Sequence, residues 1–503
     1  MTTIAYRIGS GDGLSLGTVA IIVASTLISG AAIGVFGFSL PVILLIGGVV
    51  ALWLLALRAD ILLALAIIFA FVLAGVVRYF AATNVIANVA PMLLILLIIK
   101  AIFESRSIQV ASVEANHRTS SLPVLYTFAL FLAIVILSAF SHSVTSLALL
   151  FALKTYLPIA GLLVIAVVSR SFQQSVSRLW NLLLAIAVVQ LPFIVYQHFF
   201  VAGTRNASVR GPSWDSIVGT MGGNPDGGGS SGALAIFLSL CLIYVINLVR
   251  LRLLRFSLGA IFGLVIFAGI ALAEVKIVFV LLPIGIAAVF WSELKREPAK
   301  AFLILALGGI GTLGVLLIYQ FVFWEHSRLL GSDIKYNLLR SLDYMLDPNY
   351  FRATTGEIGR FAGLMLWWSD AWNNPLTAVL GNGPGASRLN NLYIGDIARH
   401  YFPFTVDSTA LVALLWDFGI VGAMAYFGVL VTGLRIGVRR LKNLTSAKDV
   451  ASVHTAAVGI FFLALSCIYN KDILYLPQMS LLMAFCLATA LSCGAAVSNP
   501  AAK

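Results

Sequence analysis

The chain has 503 residues, of which 60% are hydrophobic and only 10% charged, with a mean hydropathy of +1.01. Soluble globular proteins carry roughly 25% charged residues, so this composition excludes a signal-anchored soluble domain, a coiled coil, a disulfide scaffold and a nucleic-acid-binding domain, and leaves an integral membrane protein. The net charge of +12 has its first explanation in topology, because Lys and Arg are retained in cytoplasmic loops.

Residues 1–16 are polar and Gly-rich and lack the arrangement of a cleaved signal, so the first span is expected to stay in the membrane. With about 20 apolar residues needed per crossing, spans are expected near 18–36, 38–57, 61–80, 84–103, 123–141, 145–168, 180–201, 232–249, 257–273, 275–292, 301–323, 409–433, 452–470 and 476–496. The fold class is thus all-α and polytopic, with fourteen transmembrane helices. Placing the N-terminus inside puts more than half of the 32 basic residues on the cytoplasmic side, and both termini are expected there. Most of the other basic residues fall in one long external loop, 324–408, which the charge rule exempts. The chain therefore divides into helices 1–11 (1–323), a large periplasmic loop (324–408) and helices 12–14 (409–503). All four cysteines, Cys241, Cys467, Cys486 and Cys493, sit in apolar runs without disulfide or zinc spacing.

Two external segments interrupt the short connections. Residues 202–231 are rich in Gly, Ser and Asn and should be irregular. In the longer loop, Gly359, Phe361, Ala362, Met365, Leu366, Trp368, Trp372 and Leu376 recur at helical spacing, which predicts an amphipathic helix at the membrane surface between Thr354 and Pro375. GNGPGAS at 381–387 reads as consecutive turns, and GGNPDGGGSSG at 222–232 lacks the Lys-Ser/Thr of a P-loop. Loops this long are usually functional when they are ordered, so chemistry is expected on the external face.

Charged side chains in spans are costly and mark partners or cavities. Arg78, Lys100 and Asp417 sit near predicted span ends, where they can snorkel, and Lys154 lies deeper. Glu274 and Lys276 form AEVK at a tight external turn, either as a mutually satisfying pair or as functional groups. Arg205 and Arg210 in the first external loop, with Arg352, Arg360, Arg388 and Arg399 in the second, bring guanidinium groups to the membrane surface. Guanidinium suits bidentate binding of phosphate oxygens, so a lipid-linked phosphate or pyrophosphate is the ligand class they fit. The ordinary alternative is pairing with Asp215, Asp226, Glu325, Asp333, Asp343, Glu357 and Asp396. The six histidines are scattered, with no metal spacing, and no G-x-S-x-G occurs.

TGEIGR at 355–360, the Trp-containing helix after it, NPLTAVLGNGPGAS at 374–387 and DSTALVALLWDFGIVGAMAYF at 407–427 follow one another in an order that resembles the bacterial O-antigen ligase and Wzy-type polysaccharide polymerase superfamily. Gly419 and Gly422 stand at its G-x-x-G, and VVQLPFIVYQ at 188–197 and AEVKIVFVLLP at 274–283 also look like that superfamily. The resemblance implies an inverting glycosyltransferase without metal or cofactor, working on the periplasmic side of the bacterial inner membrane in polysaccharide biosynthesis. Its donor and acceptor would be undecaprenyl-pyrophosphate-linked oligosaccharides, its surroundings the lipid bilayer, and a chain-length regulator a further partner; nucleic acid is not implied.

Carried over to this chain, the resemblance makes Arg210, with Arg205 as its substitute, the arginine before a Gly-rich turn, Lys276 the basic residue opening a span, and Arg360 the arginine opening the loop helix. Arg388 and Glu274 are further substrate-binding candidates. Ligases of the superfamily carry a His shortly before the G-x-x-G; here Asp407, Ser408 and Thr409 stand there, which favours a repeat-unit polymerase over a ligase, with His400 a substitute if the loop folds back. Pyrophosphate is a good leaving group, so the enzyme needs to neutralise charge, orient the acceptor hydroxyl and accept its proton. Asp407 is the candidate base; a residue just before a helix is equally an expected N-cap. A flippase of lipid-linked sugars is the competing class, which the absence of a half-to-half repeat and the external placement of charge disfavour.

Overall fold

Bilayer hydrocarbon offers no partners for backbone N–H and C=O groups, so a chain this apolar must satisfy them internally. The protein is accordingly an all-α membrane protein. In the computed structural model the described residues are 50–82, 89–107, 115–142, 144–202, 216–223, 230–273, 278–299, 343–352, 356–389 and 393–492, with a few isolated positions between them. The expected spans 18–36 and 301–323, and part of 38–57, fall wholly or mainly outside these residues.

The first helices are α1 (Ala59–Ala81), α2 (Val89–Ser107), α3 (Ala115–Ser141), α4 (Ser146–Val168), α5 (Arg170–Tyr196, continued as a π-turn to Val201), α6 (Ser231–Arg250), α7 (Phe256–Leu272), α8 (Val278–Val289) and the short α9 (Trp291–Arg296). A two-stranded hairpin follows, β1 (Phe351–Arg352) and β2 (Glu357–Ile358), then α10 (Arg360–Ala371), α11 (Pro375–Leu380) and α12 (Asp396–His400). The chain then forms α13 (Ala410–Leu441), α14 (Ala447–Ser466), the single turn α15 (Asp472–Tyr475) and α16 (Pro477–Ser492). Among the described residues, seven helices are long and apolar enough to cross a membrane: α1, α3, α4, α5, α6, α13 and α14. Shorter apolar helices are found at α2, α7 and α16.

The bundle is built around α16. Every residue from Gln478 to Ser492 is buried, as expected of a helix that is apolar on all sides. It packs on α4, α14 and α13, and α13 packs on α3. On its far side α14 meets α6, which packs on α7.

Helix α5 begins nine or ten residues before the predicted span at 180. Ser169 alone separates it from α4, and its hydroxyl accepts from Phe172 N–H as an N-cap. The polar stretch read as a loop is helical because it buries one face, Phe172, Ser175, Val176 and Leu179, and Ser175 Oγ donates to Asp60 Oδ2 at 2.7 Å.

Helix α13 also departs from a plain span. Gly419 has φ +66° and ψ −168°, so the helix is broken about a third of the way along. Asp417, expected to snorkel from a span end, instead lies buried at this break. Its Oδ2 accepts from Gly385 N–H and its Oδ1 from Ser387 N–H, both at 2.9 Å. The carbonyls freed by the break are answered too: Trp416 C=O accepts from Asn382 N–H at 2.9 Å, and Asp417 C=O from Gly383 N–H at 3.0 Å and Ser138 Oγ at 3.2 Å. GNGPGAS does form consecutive turns, with Gly381, Gly383 and Gly385 all at positive φ, and those turns are the splint of a broken transmembrane helix.

A second irregular segment, 216–223, is buried throughout. Gln197 Oε1 accepts from Val218 N–H (2.9 Å) and Gly219 N–H (2.7 Å), while its Nε2 donates to Gly219 C=O at 2.8 Å. Gln190 Oε1 accepts from Thr220 N–H at 2.7 Å. Thr220 Oγ1 donates to Phe71 C=O within the π-turn Phe69–Leu73 of α1, which satisfies a carbonyl that the wider turn displaces. Two glutamines from α5 thus replace the water this backbone would otherwise need.

Candidate functional site

The motif TGEIGR resolves into a local device. Gly356 takes φ +69° at the hairpin tip and its C=O accepts from Thr405 N–H at 2.8 Å. Ile358 of β2 is buried, and Gly359 N–H donates to Tyr350 C=O at 2.9 Å before capping α10. Arg360 follows as the first residue of that helix. Gly363, one turn on, lies against Ser408, where a Cβ would come within 2.2 Å of Ser408 Oγ. The glycine lets α10 dock on the segment that carries Asp407.

Docking brings Arg360 Nη1 into a hydrogen bond with Ser408 C=O. The guanidinium also lies between two rings, 5.0 Å from Tyr344 and 5.3 Å from Tyr469, contacts that favour a desolvated cation. Its Nε is buried without a hydrogen-bond partner among the described residues. A cation at a helix N-terminus opposes the helix dipole, which favours anions there. Two positive features therefore meet at one point, with no carboxylate paired to Arg360 among the described residues.

Asp407 is 2% exposed. Thr409, not Asp407, is the N-cap of α13, accepting from Val412 N–H at 3.1 Å, so the carboxylate is free for other work. Lys471 Nζ donates to Asp407 Oδ1 at 3.0 Å. Lys471 belongs to the turn between α14 and α15, and Asn470 Oδ1 fixes that turn by accepting from Asp472 N–H at 2.9 Å. Loss of surrounding water raises the pKa of Asp472 above the ordinary carboxylate value, against the opposing pull of Lys471, Arg360 and Arg78. Arg78, at the end of α1, reaches Gly222 of the buried irregular segment, and Gln478 Nε2 donates to Met221 C=O at 3.0 Å. Arg78, Arg360, Lys471, Asp407 and Asp472 therefore gather at one end of the bundle, where α1, α10, α13 and the 467–478 connection meet.

Arg388 packs on the same 467–478 connection, with its guanidinium 4.6 Å from the Tyr475 ring and 5.1 Å from Phe151. It is within electrostatic reach of Lys154 on α4. His400 is exposed on α12, with its ring edge-on to Tyr401, and does not join the buried cluster. Arg205, Arg210, Glu274 and Lys276 lie outside the described residues. Of the remaining loop arginines, Arg352 takes the ordinary course, pairing with Glu357 at 3.2 Å, and Arg399 sits 3.9 Å from Asp396 at the surface.

Lys471, Asp472 and Arg78 are the members that sequence reasoning passed over or read as snorkelling. The signal was present: Asn470-Lys471-Asp472 places two charges in a short connection between apolar runs, the same pattern that singled out Glu274 and Lys276. Among the described residues, no three His, Cys, Asp or Glu side chains converge to hold a metal ion. What the arrangement offers chemically is two carboxylates, Asp407 and Asp472, among three cations, suited to a ligand with concentrated negative charge and a proton to give. No model of a known protein family matches the chain, and no curated protein is similar to it.

Proposed function

We propose that the chain is a polysaccharide repeat-unit polymerase, a metal-independent inverting glycosyltransferase moving glycan from an undecaprenyl-pyrophosphate donor to a sugar hydroxyl of a lipid-linked acceptor. The observation that carries this reading is the position of Arg360: a guanidinium without a carboxylate partner among the described residues, at a helix N-terminus, bonded to the residue beside buried Asp407. The resemblance of 355–427 to the ligase and polymerase superfamily, which singled out Arg360, points the same way. In this reading the chain has fourteen spans, cytoplasmic termini, and a 324–408 loop on the periplasmic face of the inner membrane.

The acceptor O–H attacks the anomeric carbon as the C–O bond to pyrophosphate breaks, and the leaving oxygen takes the bonding pair. Arg360, with Arg210 and Lys276, neutralises the charge that develops there. Asp407 takes the acceptor proton. Arg205, Glu274 and Arg388 contact the pyrophosphate and glycan. Helix α10 buries Ala362, Gly363, Trp367 and Ala371 while Phe361, Trp368 and its C-cap Trp372 are exposed, a face suited to the headgroup layer from which a lipid-linked donor enters.

The test is to incubate the purified chain with undecaprenyl-pyrophosphate-linked repeat units, without nucleotide sugar or divalent metal. A ladder spaced by one repeat, with release of undecaprenyl pyrophosphate, is expected. Arg210→Ala and Arg360→Ala should abolish it while the protein stays folded in the membrane. No elongation by intact protein would shift the assignment to a ligase awaiting its acceptor, or to transport of lipid-linked sugars; full activity in both variants would remove the pyrophosphate role.

A further inference from the structure

Lys471 and Asp407 are unequal partners. The Lys471 side chain is 35% exposed and that of Asp407 only 3%. The backbone on both sides is held: Asn470 fixes the 470–472 turn, and Ser408 C=O is bonded by Arg360. Lysine carries its charge on a flexible four-carbon stem, so the ammonium can swing towards water while the carboxylate cannot follow. Arg360, which bonds Ser408 C=O beside Asp407, acts with Arg78 and Lys471 on the adjacent Asp472, so three positive groups face this pair of carboxylates. A group with two or three negative charges there outcompetes a single carboxylate for the ammonium.

We infer that Lys471 is a diphosphate-responsive latch: at rest its ammonium occupies Asp407, and a diphosphate arriving among Arg78, Arg360 and Lys471 draws it away, leaving Asp407 free to take a proton. The inference rests on the reading of this end as the donor site, and assigns to it a binding residue and an order of events. Charge stays balanced, because the ammonium exchanges one anionic partner for another and no proton moves until the acceptor O–H gives one to Asp407. A base held by Lys471 until the donor is seated also limits hydrolysis of the donor by stray water.

The test measures binding apart from transfer, using fluorescent polyprenyl pyrophosphate on the full chain in nanodiscs, with inorganic pyrophosphate or phosphatidylglycerol as competitor. Asp407→Asn removes the competing carboxylate at constant shape, so it should tighten binding by on the order of tenfold while transfer is lost. Lys471→Gln should weaken binding by a similar factor. The double variant Asp407→Asn/Lys471→Gln, which leaves no unpaired buried carboxylate, should bind as weakly as Lys471→Gln and so covers a folding failure of that single variant. Unchanged or weaker binding by Asp407→Asn would overturn the latch and leave the transferase reading intact. Tighter binding with wild-type transfer would remove Asp407 as base and overturn the latch with it. Displacement of the probe by phosphatidylglycerol as readily as by pyrophosphate would overturn the diphosphate assignment, and failure of the wild type to bind either pyrophosphate species would overturn both readings.

Discussion

Asp407 and Asp417 stand on either side of the same helix start, both nearly inaccessible to solvent, and they are held in opposite ways. Asp417 has each oxygen answered by a backbone N–H of the GNGPGAS turns, partners that cannot leave without unmaking the loop. Asp407 has, among the described residues, one hydrogen-bond partner, the ammonium of a partly exposed lysine. The first arrangement closes a break in a transmembrane helix; the second leaves a charge whose partner can be exchanged. A buried carboxylate is thus not in itself a sign of chemistry, and the mobility of what satisfies it separates the two cases.

The largest expected effect tests the structural side of that contrast. Gly419→Ala forces a Cβ into a φ of +66° and to within 2.3 Å of Val379 C=O, so it should destabilise the protein by on the order of 3 kcal/mol or more. Thermal unfolding in detergent measures this, and a melting temperature equal to wild type would mean that the break is not needed.

The aspartates themselves come next. Asp417→Ala strands the N–H groups of Gly385 and Ser387 and should cost about 2–4 kcal/mol. Asp407→Asn should cost about 1 kcal/mol or less, because Lys471 can turn its charge to water. Denaturation of the two variants side by side checks the pair, and equal losses would erase the distinction drawn between them.

The smallest effect concerns Asp472. Its pKa is raised from the ordinary 3.8, so folding favours the protonated form and the charged form is penalised. Asp472→Asn should match wild-type stability at pH below 3.8, where both states of the native residue are protonated. Its advantage should then grow as pH rises through the folded-state value and level off above it. Melting temperatures across acid to neutral pH test this; an advantage that shrinks with rising pH would reverse the sign.

Much of the fold was legible because membrane helices are written in hydropathy, and the described apolar helices follow the predicted runs closely. Helix α5 was misread at its start because a polar sequence such as Arg170–Arg178 is helical when one face is buried, and burial is a tertiary fact. Arg360 and Asp407 were singled out in the sequence as separate candidates, and the fold brings them to either side of Ser408. Asp417 was misread, since nothing local tells a snorkelling carboxylate from one that caps a loop some thirty residues upstream.

Composition and periodicity determined that the protein lies in a membrane, that it is helical, and that its arginines crowd certain loops, because these follow from transfer free energies that each residue carries with it. Tertiary structure alone decided that α13 breaks at Gly419, that Gln190 and Gln197 hold a buried irregular segment, and that Lys471 meets Asp407 across 64 residues of chain. Hydrogen bonds and ion pairs depend on separation and angle between groups far apart in sequence, and only the folded packing sets those.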